Sequence, residues 1–307
     1  MEIQDMNQEE KEQKIKEILE SFSIFDGKYK KEEVDAAIEL KEEITPHLIK
    51  ILENIIDDPH HYSKESTFDH IYAVMLLGHF KEPKAHKVIV DIFSLPPDLP
   101  HCFFGEILTS DLPTLLVNTC DGSVELIKSL IVNKEAYDFC RGSASEALAY
   151  AAIKGYVSRE EVLTYLSSLF TGTEAEKGSA FWGVLANTAC DLYPAEIIDT
   201  IRKGYNDGII DPMSINIDDF EHDLKLGKDK CLEQLKRDVE NRSLDDFHAS
   251  MSWWACFREK SGFSSAAYGV PPNGKALNQA KKSQKKITFS KKKKKLAKDS
   301  KKKNRRK

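Results

Sequence analysis

The sequence is poor in the signatures that announce chemistry. Six cysteines stand at positions 102, 120, 140, 190, 231 and 256, no two closer than 18 residues. No CxxC pair exists, which excludes a zinc ribbon and a thioredoxin-type redox centre. Cys120 and Cys190 sit among apolar neighbours, so the expectation is reduced, buried thiols of a cytosolic protein. The phosphate-binding patterns GxxxxGK[ST] and GxGxxG are missing, as are the nucleophile elbow GxSxG and the metal motif HExxH. No segment alternates apolar and polar residues cleanly over six positions, so strands have no support. No apolar run approaches the ~20 residues a bilayer span needs. The opening Met1-Glu2-Ile3-Gln4-Asp5 lacks the basic and apolar regions of a secretion signal. A cytoplasmic location is expected, or a nuclear one in a nucleated cell.

What is present is a repeat. An apolar doublet followed by a third apolar residue recurs as Leu48-Ile49/Leu52, Val88-Ile89/Ile92, Leu126-Ile127/Leu130, Val162-Leu163/Leu166 and Ile197-Ile198/Ile201. Successive copies start 40, 38, 36 and 35 residues apart, the period of stacked two-helix units. Each doublet helix has a start signal: Thr45-Pro46, Pro83, Asp121-Gly122-Ser123, the capping box Ser158/Glu161, and Pro194. The partner helices are placed near 31–40, 67–80, 111–120, 144–154 and 179–191. The Ala-rich stretch 144–152 suits close helix approach, and Gly155 a left-handed C-terminal position.

The spacing therefore predicts an all-α, right-handed α-solenoid of the HEAT/armadillo type with about five helix pairs. A charged helix occupies 1–26, with Ile15, Ile18, Leu19 and Phe22 on one face. The repeats span 27–224. A pair over 225–260, ending near Trp253-Trp254, is expected to close the open end of the stack. A linker covers 261–280, and a Lys-rich tail, too charged to bury a core, covers 281–307.

The formal net charge of −5 conceals a split. Residues 281–307 carry 16 of the 45 Lys and Arg and one of the 50 Asp and Glu, leaving 29 bases and 49 acids in residues 1–280. Lys291, Lys292, Lys293, Lys294, Lys295, Lys301, Lys302, Lys303, Arg305 and Arg306 form a polyanion-binding pattern whose affinity rests on phosphate neutralisation. Only Phe289 is interleaved, so base stacking contributes little. RNA or a ribosome is the partner this favours. A solvated tail, and a tail folded onto the acidic body, are the alternatives.

Seven of the nine histidines fall between His47 and His101 without metal-ligand spacing, and are expected at surfaces and caps. The acids between Asp207 and Asp223 lack EF-hand spacing. No metal and no cofactor is expected. Polar residues inside apolar segments mark a groove: Glu106, Asp111, Arg141, Trp182, Asn187 and Asp191 are the candidates to hold a protein or peptide. Against this stands a structural reading, in which Arg141 bridges repeats and Asp111 caps a helix. An enzyme built on Glu106, Asp111 and Arg141 is the competing class. An RNA-binding solenoid is a third, opposed by the acidic body.

The segments Phe104-Gly105-Glu106-Ile107-Leu108-Thr109-Ser110-Asp111-Leu112-Pro113, Arg141-Gly142-Ser143-Ala144-Ser145-Glu146-Ala147-Leu148 and Glu43-Ile44-Thr45-Pro46 resemble a bacterial family catalogued as domain of unknown function 1186, over roughly Phe25 to Phe257. The resemblance implies a helical-repeat protein and no particular activity. Relatives of that kind often end in a cysteine-rich zinc-binding segment. Here no cysteine follows Cys256, and the lysine tail takes that place.

Overall fold

A computed structural model describes residues 3–62 and 67–257. The linker and the lysine tail therefore lie outside the described residues. Among those described, the chain is all-α with no strand, and no helix is long and apolar enough to cross a membrane.

Helix α1 (Gln8–Ser23) begins at a capping box of Asn7 and Glu10 and buries Ile15, Ile18 and Phe22. The charged N-terminal helix is thus where its pattern puts it. After α2 (Lys31–Glu39) comes α3 (Lys41–Asp57). This helix starts four residues before the expected Thr45 cap and runs through Pro46. Thr45 Oγ1 donates to the Lys41 carbonyl instead of capping. A proline in the second turn forfeits one intrahelical bond; buried Leu40, Ile44 and Leu48 hold the helix regardless.

The remaining pairs follow in order. They are α4 (Asp69–Phe80) with α5 (His86–Phe93), α6 (Leu112–Thr119) with α7 (Glu125–Val132), α8 (Asp138–Ile153) with α9 (Arg159–Leu169), and α10 (Ala180–Asp191) with α11 (Ile198–Asn206). Then come α12 (Ile217–Leu226), α13 (Lys228–Asn241) and the short α14 (Phe247–Met251). The start signals at Pro83, Ser158 and Pro194 precede their helices, two of them through a turn of 3-10 helix. At Asp121-Gly122 both residues take positive φ, 49° and 81°, turning the chain before α7. Helix α8 starts six residues earlier than expected, because Asp138 opens it ahead of the alanine run.

The first helices of the pairs contact one another in chain order, α4 on α6, α6 on α8, α8 on α10 and α10 on α12. The second helices do likewise for α3, α5 and α7. The Tyr165 hydroxyl donates to the Lys128 carbonyl (3.2 Å), joining α9 to α7, and Ser167 bonds Thr200, joining α9 to α11. The doublets face the shared interior: Leu52, Ile89, Ile92, Ile127, Leu130, Leu166 and Ile201 are fully covered. Ile49 and Ile198 are partly covered, and Leu126 is 38% exposed.

Helix α8 is the hub, buried on nearly every side. Its small residues permit this. A Cβ added at Gly142 would come within 2.9 Å of Val184 Cβ, so α10 approaches closely only because that position has no side chain.

Two expectations fail inside the body. His70 and His86 are buried, not at surfaces or caps. His70 Nε2 donates to the Phe103 carbonyl and His86 Nδ1 to Thr119 Oγ1, each 2.9 Å, which allows the rings to be covered. Burial holds His86 down at about 4, so it is neutral. Of the cysteines, Cys120, Cys140, Cys190 and Cys231 are buried, but Cys102 and Cys256 are exposed.

The C-terminal pair was expected at the open end of the stack. Instead α13 packs on α8 and α10, and residues 242–257 run back across the first helices toward α1 and α2. Trp253, expected to cover core, is 62% exposed.

Candidate functional site

The first helices present one face, and residues 242–251 lie along it. The Arg242 guanidinium meets Glu146 of α8 at 3.0 Å, and the Tyr150 hydroxyl donates to the same carboxylate at 2.8 Å. Thr114 Oγ1 of α6 donates to the Arg242 carbonyl (3.2 Å), and His79 Nδ1 of α4 to the Leu244 carbonyl (2.7 Å). Leu244 sits over Gly78, where an added Cβ would meet Leu115 of α6 first and would come within 3.0 Å of Leu244 Cδ1. Asp245 pairs with Lys81 at 2.9 Å. The Phe247 ring packs edge-on against His79, with centroids 5.5 Å apart. His248 bridges the Tyr29 hydroxyl and the Asp35 carboxylate, each at 2.8 Å. Leu244, Phe247 and Met251 are buried by these contacts.

The segment folds within itself as well. Asp246 caps α14 by accepting from the Ala249 amide, and the Ser243 hydroxyl accepts from the Asp245 amide. It is a short helix with a capped approach, docked onto a face made by others.

Beside Arg242 lies a group of acids. Asp191 of α10 is half-buried and accepts from Asn187 Nδ2 at 3.3 Å. Burial raises its carboxyl to about 7, and the negative charges of Glu146, Asp223 and Asp238 add to the rise while Arg242 opposes it. The Cys190 thiol donates to the Asp223 carboxylate at 3.2 Å. Burial, followed by that carboxylate, pushes the thiol well above its usual range, so it is no nucleophile. Asp111 is also raised, chiefly by burial, with Ser110 and Arg242 acting against the shift. One guanidinium thus serves several carboxylates. Such a place attracts cations or basic side chains and can hold a proton near neutrality. Among the described residues no group of three or more His, Cys, Asp or Glu side chains is disposed to hold a metal ion.

The six residues singled out by sequence part company. Asn187 and Asp191 meet at the acidic group, and Asp111, at the N-terminal cap of α6, is within electrostatic reach of the same Arg242. Glu106 is exposed, ahead of the short helix Ile107–Ser110, and its carbonyl accepts from Thr109 and Ser110. Trp182 is 1% exposed, and its indole donates to the Glu176 carbonyl at 3.0 Å.

Arg141 is also 1% exposed. It donates to the carbonyls of Ile131 (2.9 Å) and Glu174 (2.8 Å) and to Asp138 (3.2 Å), and its guanidinium stacks 3.9 Å above the Phe181 ring. Those partners lie in α7, in α8 and between α9 and α10, so Arg141 ties neighbouring helix pairs together.

Sequence reasoning passed over Arg242, Glu146, Tyr150, Thr114 and His79. One partial signal was available: Gly78 is an isolated glycine inside an apolar helix, a pattern that marks close approach by another part of the chain, here Leu115 of α6 first and Leu244 second. Two recesses of about 370 and 430 Å³ lie elsewhere, beside α9 and α11 and beside α11 and α12. The acids of the first are engaged: Glu196 pairs with Arg159 at 2.7 Å and Glu160 with Lys228 at 3.0 Å.

No solved structure matches the chain. It is 32% identical over 238 residues to a protein of Chlamydia trachomatis serovar D described as "Uncharacterized protein", covering 76% of this chain and 94% of that one. A protein of Chlamydia muridarum with the same description is 31% identical over 244 residues, covering 78% and 96%. The model of a protein family of unknown function, DUF1186, matches residues 13–258. The chain belongs to that family.

Proposed function

We propose that the body is a HEAT/armadillo-like right-handed α-solenoid acting as a cytoplasmic protein-interaction scaffold. In this reading the first-helix face is the concave, peptide-holding surface, and the lysine tail holds a polyanion such as RNA or the ribosome. The order of helix contacts supports the stacking, because from α4 onward each first helix touches the next one in the chain. The observation that carries the reading is the way Thr114 and His79 bond backbone carbonyls of a chain segment lying across the face. Side chains that read main-chain groups accept a segment with little regard to its sequence, while Gly78 and the acidic group select its side chains.

The tail reading rests on charge. Sixteen bases against one acid in residues 281–307 favour salt-sensitive binding to phosphate, which the net-acidic body would repel. An enzyme using Glu106, Asp111 and Arg141 loses its arginine, whose donors are engaged with Ile131, Glu174 and Asp138.

The test is affinity capture from lysate by the full chain and by the chain lacking Lys281–Lys307, each with and without nuclease. RNA retained at low salt by the full chain only, with protein partners common to both, is expected. Equal RNA retention by both removes the tail reading. Absence of any protein partner, with or without the tail, removes the scaffold reading.

A further inference from the structure

We propose that residues 242–251 are an in-place ligand of the first-helix face, and that this face takes a segment of a partner protein with the same chemistry. That chemistry is a cation, an apolar residue two positions on, an aromatic five on and an apolar residue nine on. The proposal rests on the reading of the face as a peptide-holding surface and names what the surface selects.

Four observations define the ligand. The cation position is written by Glu146, with Asp191 within electrostatic reach of the Arg242 guanidinium. The first apolar position is that of Leu244, which is 1% exposed and lies over Gly78 beside Leu115 of α6. The aromatic position is the edge of the His79 ring, and the last apolar side chain, Met251, is completely covered. Between them, Thr114 and His79 hold two carbonyls irrespective of side-chain identity.

A further three show that the segment is held as a ligand is held. Its helix is capped by its own Asp246, and Ser243 holds the turn before it, so these local bonds are made within the segment. Its charged contacts are surface pairs: Arg242 is 45% exposed, and the Lys81–Asp245 pair is more exposed still. Such pairs are individually weak and exchangeable. A buried side-chain triplet at Leu244, Phe247 and Met251 supplies the remaining hold, the pattern of a helical turn laid on a groove. The face is therefore closed in cis, and a partner segment competes with residues 242–251 for it, its apparent affinity reduced by the fraction of face already occupied.

The experiment titrates a fluorescent peptide of residues 240–252 against the full chain, against full-length Arg242→Glu, and against full-length Asp245→Lys. Both substitutions weaken the tethered segment from its own exposed side and leave the face intact. About two- to threefold tighter peptide binding to either variant than to the unaltered chain is expected, the size that loss of one exposed pair gives. Adding Glu146→Gln, which removes the cation position from the face, should abolish most of that gain. Equally weak binding to all, with both variants melting cooperatively, overturns the proposal. Concentration-dependent dimers of the variants that exclude the peptide also overturn it, because the occupant is then a second copy. If the peptide fails while lysate capture still recovers protein partners, the in-place ligand is wrong and the scaffold reading stands.

Discussion

Three arginines contrast the repeats with the segment that crosses them. Arg141 and Arg159 are buried and reach across repeats to main-chain carbonyls: Ile131 and Glu174 for the first, Leu192 and Tyr193 for the second. Arg159 also grips Glu196 through two nitrogens, each at 2.7 Å. The Arg242 side chain, on the crossing segment, is 45% exposed, and its guanidinium meets the Glu146 carboxylate. Buried guanidinium–carbonyl clips are part of the covered interior and cannot be released without leaving acceptors unsatisfied. An exposed pair gives back to water whatever it loses. The difference teaches which part of the molecule is framework and which part is seated upon it.

The sharpest way to break the comparison is Arg141→Ala. Two covered carbonyls lose their donors, so the loss of unfolding free energy should be about 3 kcal/mol. A urea titration giving less than a third of that would mean that Arg141 is no clip.

Next is Asp191→Asn, which tests the acidic group beside the segment. The Asp191 carboxyl is near 4 when unfolded and about 7 in the fold, so the fold favours its protonated form. Its stabilising share is complete below about pH 4 and is lost as pH climbs through 7. The amide removes that dependence. Wild-type stability should fall between pH 5 and pH 8 by on the order of 2 kcal/mol more than that of the variant, read from urea midpoints at the two pH values. Parallel pH profiles would contradict the burial of this carboxyl.

The smallest effect belongs to Arg242→Ala. The exposed pair with Glu146 is worth about 0.5 kcal/mol, so the melting temperature should hardly move. A loss as large as that of Arg141→Ala would erase the distinction between framework and seated segment.

The framework was legible because periodicity is local. The doublets, the Ser158 capping box and the glycine at 155 each report on a few neighbouring residues, and the helices formed where those signals stand. Where a local signal misled, packing had overruled it: buried Ile44 and Leu48 carried α3 straight through Pro46. The face was barely legible. Asn187 and Asp191 were found because they interrupt an apolar helix, but the charges that act on Asp191, Glu146 and Arg242, lie tens of residues away. Arg141 looked like a groove residue for the same reason and proved to be a clip. A polar residue in an apolar segment announces that it has partners without saying whether they are main-chain carbonyls or a ligand. The return of residues 242–257 toward α1 was invisible, since Leu244, Phe247 and Met251 read equally well as the buried side of a terminal cap.

Hydrogen exchange of the intact chain tests the central claim most directly. If residues 242–251 are seated on the face, the amides of 247–251 should exchange through a separate opening, at least tenfold faster than those of α4, α6 and α8. Exchange of all four at one common rate, set by global unfolding, would show that the segment is framework and contradict the account.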